Sequence, residues 1–318
     1  LDDFAEFMAI KEHFGNQALQ KWDDKKAVAR DPKTLEKYRT MLVDQIQYFK
    51  VTQYFFFKQW SELKHYANQK GIKIIGDMPI YVAADSVEVW TKPELFQLDK
   101  ERNPLFVAGV PADQFSATGQ LWGNPLYDWE EHKKQGYAWW IHRIEESFKI
   151  YDVLRIDHFK GFSDYWQVDG KADIAKYGSW QPGPGYDLFK AVKEQLGDLP
   201  IIAEDLGNID DKARKLLADC NYPGMKILQF GFEDVSGKSL DSPHYCIPHS
   251  IVYTGTHDND VTNGWYNGLT EQQQQYINDY THRSEDESIC QAMIRQLFAT
   301  VSNTAIATMQ DVLDLPAS

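Results

Sequence analysis

Cysteine is scarce. Cys220, Cys246 and Cys290 are the only three in 318 residues, and no two stand in a CxxC spacing. An odd count without that spacing suggests neither a disulfide framework nor a thiolate zinc site, and it suits a reducing, cytoplasmic setting. Long apolar runs are also missing, since no stretch of about 18 apolar residues reads as a membrane-spanning helix. Basic residues are in deficit: Lys and Arg number 33 against 47 Asp and Glu, for a formal net charge of −14. Nucleic acid and anionic membranes both require a basic footprint, so neither is expected as a partner. A neutral or cationic substrate fits better. No His-x-His or His-x-x-x-His spacing occurs, which argues against a metal centre built from the chain's Asp, Glu and His. Neither an initiator Met nor a signal-like segment stands at Leu1, and the chain reads as a piece of a longer protein.

Aromatic residues are abundant. They make up 14 % of the chain, with ten Trp and seventeen Tyr, inside a hydrophobic share of 43 % that supports a large core. Flat rings fill cores, and they also cover the apolar faces of sugar rings. The length suits one α/β barrel with insertions.

Residues 1–70 read as a helical insertion subdomain. Leu1, Phe4, Ala5, Phe7, Met8 and Lys11 form a helical stripe, with Asp2, Asp3 and Glu6 in the first turn. Asp31-Pro32 caps a second helix carrying Leu35, Tyr38, Leu42, Ile46 and Phe49. Tyr54 to Phe57, Trp60, Leu63 and Ala67 read as a third apolar face. Residues 71–318 then read as a (β/α) barrel portion. Buried strands are expected at 71–77, 151–156, 199–204, 225–231, 251–256 and 304–310, the last ending at Asp311. Helices are expected at 136–149, 186–196, 210–219 and 270–300. Strand-helix alternation at this spacing means parallel β-structure with right-handed crossovers. Only about six barrel strands can be counted. The segment 78–135 is too long for an ordinary connection, and Phe106, Phe115, Trp122, Tyr127 and Trp129 mark it as an ordered insertion over a strand end.

Three of the strands deliver an acid: Asp157 after Val153-Leu-Arg-Ile, Glu204 after Ile201-Ile-Ala, and Asp258 after the Ile251 run. Successive βα positions place such acids at the face where barrels carry chemistry. Glycosidic cleavage with retention needs a nucleophilic carboxylate and a protonated carboxyl about 5–5.5 Å away. Arg155 projects to the same side of its strand as Asp157 and would keep that carboxylate ionised, whereas the dry approach to Glu204 would favour its protonated form. His158 and His257 adjoin two of the three acids. A single acid at a strand end often only caps a helix or pairs with an Arg; three together favour catalysis.

Arg155-Ile-Asp-His-Phe159, Ala203-Glu-Asp-Leu-Gly207 and Thr256-His-Asp-Asn259 resemble the catalytic segments of 4-α-glucanotransferases of the amylomaltase type, glycoside hydrolase family 77. Gly76-Asp-Met-Pro-Ile-Tyr-Val82 with Asp85-Ser-Val-Glu-Val-Trp90 resembles that family's third barrel strand. Gly109-Val-Pro-Ala-Asp-Gln-Phe-Ser116 and Trp122-Gly-Asn-Pro-Leu-Tyr127 resemble its active-site loop, and Gln310-Asp-Val-Leu313 its eighth strand. The similarity runs essentially from residue 1 to 318. It implies an α/β fold, a (β/α)8 TIM barrel with helical and loop insertions, of which strands 3 to 8 lie in 71–318. It implies Asp157 as nucleophile, Glu204 as general acid/base and Asp258 as transition-state stabiliser. Arg155 and His257 would support the donor sugar, Trp122 and Asn124 would belong to the loop over the acceptor groove, and Asp77 and Tyr81 would bind substrate. The implied partners are α-1,4-glucan or maltooligosaccharide donors and acceptors, with no metal and no cofactor.

Departures exist. Residues 110–113 read Val-Pro-Ala-Asp where the family commonly has two prolines, and Gln114 stands where an aromatic is frequent. Both are expected to tune the acceptor groove. The family's first two barrel strands and its Asn-Trp tail have no counterpart, so these 318 residues alone are expected to aggregate or to be inactive. Two other functions stand beside the transferase. One is an α-amylase-type retaining hydrolase with water as acceptor; the other is an inert glucan-binding protein.

Overall fold

The computed structural model describes residues 1–112, 116–207 and 209–316. Asp113, Gln114 and Phe115, named above, lie outside the described residues. The chain divides into two compact units, Leu1–Pro200 with Asp211–Cys220, and Ile201–Asp210 with Asn221–Ser318.

The first unit opens with four helices, α1 (Asp2–His13), α2 (Lys25–Val28), α3 (Pro32–Met41) and α4 (Val43–Gln69). α3 begins at Asp31-Pro32: the Asp31 carboxylate accepts the Thr34 amide at 2.9 Å, and Pro32 fills a first-turn position that needs no donor. α1 buries Ala5, Glu6, Phe7, Ala9 and Ile10, a stripe turned away from the expected Phe4 and Met8. Glu6 tolerates burial because Arg39 reaches it at 2.8 Å. α4 departs further from expectation, since Tyr54, Phe55, Phe56, Phe57 and Leu63 are exposed and do not form a packed face. At 3.6 residues per turn, four consecutive aromatics encircle a helix and cannot share one side. The packed side carries Trp60, whose indole donates to the Ile150 carbonyl at 2.8 Å, and Lys64, whose ammonium donates to the Tyr151 carbonyl at 2.8 Å.

Strand β1 (Ile75–Met78) follows. Its Gly76 is required, because a Cβ there would lie 2.0 Å from the Tyr151 ring. The insertion 78–135 is ordered around α5 (Val87–Thr91), strands β2 (Phe106–Val110) and β3 (Gln120–Pro125), and α6 (Trp129–Lys134). After α7 (Ala138–Ile150), strand β4 (Val153–Ile156) pairs in parallel with β1, setting Asp77 opposite Arg155. Two strands outside the sequence-based expectation, β5 (Asp164–Asp169) and β6 (Gly178–Pro182), join β2 and β3 in an antiparallel sheet ordered β3-β2-β5-β6. Val107, Val168 and Ala175 form a small core on that sheet. α8 (Tyr186–Leu196) and α9 (Asp211–Cys220) complete the unit.

α6 buries His132 among the rings of Tyr127, Trp129 and Trp139, at 5.2, 5.3 and 5.8 Å. Burial pushes its imidazole down to about 4. An unfolded His titrates near 6.5, so the folded form binds its proton more weakly. The stability this group contributes is present above about pH 6.5 and is lost as pH falls towards 4. The thermal midpoint is therefore expected to drop across that window, and His132→Phe to flatten the drop. An unchanged slope in the variant would place the acid lability elsewhere.

The second unit contains β7 (Ile201–Ala203), β8 (Gly224–Ile227), α10 (Leu228–Glu233), β9 (Ser250–Tyr253), α11 (Thr262–Gly268), α12 (Glu271–Thr281), α13 (Ile289–Phe298), β10 (Thr304–Ile306) and α14 (Met309–Val312). β8, β9 and β10 are parallel with β9 in the middle. Leu228, Phe232, Val252, Ile277, Met293 and Leu297 are among the residues of their core. The expected strand 225–231 stops at Ile227, because Leu228, Gln229, Gly231 and Phe232 bury one side of a helix. The expected helix 270–300 is two helices, each opened by a capping box: Thr270 with Gln273, and Ser288 with Gln291. His282, in the left-handed conformation, ends the first. The expected strand 304–310 stops at Ile306. Thr308 then caps α14, which puts Asp311 in a helical first turn and not at a strand end. Parallel strands alternating with helices make the fold α/β, as the sequence indicates.

Candidate active-site residues

Asp157 directly follows β4, Glu204 directly follows β7, and Asp258 stands in the loop after β9. Asp157 belongs to the first unit and the other two to the second.

In the first unit the register of β1 against β4 builds a three-membered cluster. Arg155 is buried at the base of it. Its Nη1 donates to both oxygens of Asp77, at 2.7 and 2.6 Å, and to Asp157 Oδ1 at 3.0 Å. One guanidinium thus serves two carboxylates, which keep side-chain exposures of 39 % and 41 % and so remain open to a ligand. Charge-assisted bonds of this kind fix direction as well as charge. The Asp157 amide donates to the Met78 carbonyl at 3.0 Å, which holds the strand end against β1. Sequence reading pairs Arg155 with Asp157 alone. The second partner, Asp77, follows from strand register, which a single sequence does not state.

Rings gather beside this cluster. Tyr81 is buried and stacks on Tyr127 with centroids 6.0 Å apart, and Trp122 lies 6.3 Å from Tyr81. Burial pushes the Tyr81 phenol well above its ordinary range, so it stays a neutral hydroxyl. Trp122 is partly exposed and meets the His158 ring edge-on at 4.8 Å. His158 holds the left-handed conformation at φ 49°, uncommon outside glycine, which turns the chain sharply after Asp157. Burial, followed by the Lys160 charge, pushes its imidazole down to about 4. Asn124 donates from Nδ2 to the Val82 carbonyl at 2.9 Å, tying β3 to the segment after β1.

In the second unit, Ile201, Ile202 and Ala203 are all buried, and Glu204 emerges half-buried, its Oε1 accepting the Leu206 amide at 2.7 Å. The next residue, Asp205, accepts the Met225 amide at 2.7 Å, and burial pushes its carboxyl upward. A Cβ on Gly224 would lie 2.4 Å from Asp205 Oδ2, so glycine there lets the buried acid approach. The pair Asp205–Gly224 anchors the strand end that carries Glu204. Asp258 is 68 % exposed, with the His257 imidazole Nε2 3.5 Å from its Oδ1. Its backbone amide donates to the Thr256 hydroxyl at 3.2 Å, and Asn259 Oδ1 accepts both the Thr256 amide and the Thr256 hydroxyl at 2.9 Å.

Among the described residues, His142, Glu145 and Glu146 are the one group of three metal-ligand types within reach of one another. All three are exposed on α7, where their spacing makes them neighbours on a solvated face. Among the described residues all three cysteines are free, and no helix is long and apolar enough to cross a membrane.

An α/β protein with carboxylates at the ends of parallel strands is the class this arrangement defines. The chain belongs to the 4-alpha-glucanotransferase family, glycoside hydrolase family 77, matching it over residues 1–318. It is 54 % identical over 316 residues to a 4-alpha-glucanotransferase of Streptococcus pneumoniae, covering 99 % of this chain and 62 % of the relative. It is 46 % identical over 319 residues to one from Clostridium butyricum, covering 99 % and 65 %. A solved amylomaltase from Streptococcus agalactiae, in complex with acarbose, superposes with a TM-score of 0.98 at 60 % identity, over 99 % of this chain and 64 % of that one. The chain thus spans under two thirds of the length of each of these relatives.

Proposed function

We propose that the protein containing this chain transfers segments of α-1,4-glucan from a donor to the 4-hydroxyl of an acceptor glucan or glucose, with retention of configuration. Asp157 attacks the anomeric carbon while Glu204 protonates the departing glycosidic oxygen, leaving a covalent glycosyl-Asp157. Glu204, now a carboxylate, takes the proton of the incoming 4-hydroxyl, and the new glycosidic bond forms as the Asp157 ester breaks. Asp258 steadies the oxocarbenium-like transition state, and Arg155 holds Asp157 with its attacking oxygen directed and charged. Asp77 and His257 bind sugar hydroxyls beside these acids. Tyr81, Trp122 and Asn124 belong to the acceptor side, where apolar rings keep a sugar in place of water.

The observation that carries this reading is the Arg155 clamp on Asp157 within a chain of this family. A nucleophile shared with Asp77 on one guanidinium is oriented before substrate arrives, and preorganisation of that kind is what glycosyl transfer demands. Incubation with maltotriose tests it. Transfer is expected to give a ladder of maltooligosaccharides both shorter and longer than the substrate, with glucose. Products that are only shorter would assign water as acceptor and overturn the reading in favour of an α-amylase-type hydrolase. An unchanged substrate would leave a glucan-binding protein.

A further inference from the structure

We infer that Asp311 is a positioning residue for Asp258, holding the loop that carries it at both ends. The inference rests on the transfer chemistry proposed above, in which Asp258 steadies the transition state.

Asp311 is 2 % exposed, and a carboxylate that deep needs specific donors to remain there. The Cys290 thiol donates weakly to Oδ1 at 3.9 Å, and the two stronger donors come from opposite ends of one loop. Oδ2 accepts the Thr254 hydroxyl at 2.6 Å, and Oδ1 accepts the Thr262 amide at 3.1 Å. Thr254 directly follows β9 and Thr262 opens α11, so the segment between them is the one that bears His257 and Asp258. Asp311 is itself fixed: its amide donates to the Thr308 hydroxyl at 3.2 Å in the cap of α14. The frame runs from α14 through one carboxylate to both feet of the loop.

The bonds of Thr256, Asp258 and Asn259 described above are internal to the loop and set its shape, not its place. Gln229, buried on α10, adds one outside tie by donating to the Asp260 carbonyl at 3.0 Å. Gly255 passes so close that a Cβ would meet Gln229 Nε2 at 3.0 Å. Asp258 has little packing of its own at 68 % exposure, so its position follows the loop backbone. A shift of about 1 Å in a group acting on a transition state can cost on the order of 10²-fold in rate.

The test is a double-mutant cycle in the natural polypeptide, comparing Asp311→Asn, Asp258→Asn and both together, with maltosyl fluoride as donor and maltose as acceptor. Asp311→Asn is expected to lower kcat by roughly 10²-fold while KM moves by less than about threefold. In the Asp258→Asn background it should cost no more than about a further twofold, because the group it positions is already gone. Thr254→Val, which removes one foot only, should show a smaller loss of the same kind, and Thr254→Ser should restore it. These two variants decide the matter if Asp311→Asn does not fold. Equal fold-losses in both Asp258 backgrounds would make Asp311 merely structural and overturn the inference, leaving the transfer reading intact. Undiminished turnover in Asp258→Asn itself would overturn the role of Asp258, and the inference with it.

Discussion

Asp157→Ala is expected to lower turnover of maltotriose by at least about 10⁴-fold, the scale seen when a covalent nucleophile is removed. The reasoning is chemical. Without the carboxylate no glycosyl ester forms, and neither Glu204 nor Asp258 is proposed to bond the anomeric carbon. The fold is expected to survive, because Arg155 keeps Asp77 on the same Nη1 at 2.7 and 2.6 Å and is not stranded as a buried lone cation. Asp77→Ala is the informative partner. It also removes a carboxylate from Arg155, yet it leaves the attacking group, so its loss should stop at about 10- to 100-fold. The check is initial-rate kinetics on both variants alongside their thermal midpoints. Comparable activity in Asp157→Ala and the unsubstituted protein would sink the nucleophile assignment. Equal losses in the two variants at equal stability would make the clamp, rather than the nucleophile, the seat of the effect.

Asp157 and Glu204 are legible in the sequence because apolar strands run directly into them, whereas Asp258 stands in a loop beyond the end of β9. Val153 to Ile156 and Ile201 to Ala203 need no partner to be recognised as buried β-structure, and the residue after each is fixed in place by the strand's end. The antiparallel sheet is not legible. Asp164-Tyr-Trp-Gln-Val-Asp169 and Gly178-Ser-Trp-Gln-Pro182 are short and polar, and they become strands because each finds the other and, for the first, β2. That pairing is tertiary, and local propensity carries little of it. Helix boundaries fail for a different reason. Ser288 and Gln291 form a capping box that the pattern Ser-x-x-Gln announces, but a continuous amphipathic reading of 270–300 overrides it. Thr308 and Asp311 repeat the lesson at α14: a Thr three residues before an acid marks a helix start, where the apolar run suggests more strand. The aromatic run Tyr54 to Phe57 misleads in the opposite sense, since composition favours burial while helical geometry spreads the rings around α4.

Glu204→Gln separates proton transfer from bond-making at carbon. On maltotriose the leaving sugar departs as an alkoxide unless it is protonated, so the variant is expected to lose roughly 10²–10⁴-fold in turnover. An α-maltosyl fluoride donor changes that requirement. Fluoride leaves with its electron pair unprotonated, so Asp157 can still form its bond to the anomeric carbon. The second step then stalls, because nothing takes the proton of an incoming hydroxyl. A maltosyl-enzyme should accumulate, visible as a mass increase on the protein that Asp157→Ala in the same background does not show. Azide needs no deprotonation to attack. Its addition should discharge the intermediate, breaking the Asp157 ester and giving maltosyl azide with the α configuration of the donor, as two inversions require. The substitution also keeps the geometry, since the amide carbonyl of the introduced glutamine can accept the Leu206 amide as Glu204 Oε1 does at 2.7 Å. Equal rates of glycosyl-enzyme formation from the two donors in the variant would show that Glu204 is not the acid. A β-azide product would exclude the glycosyl-Asp157 intermediate and leave direct displacement in its place.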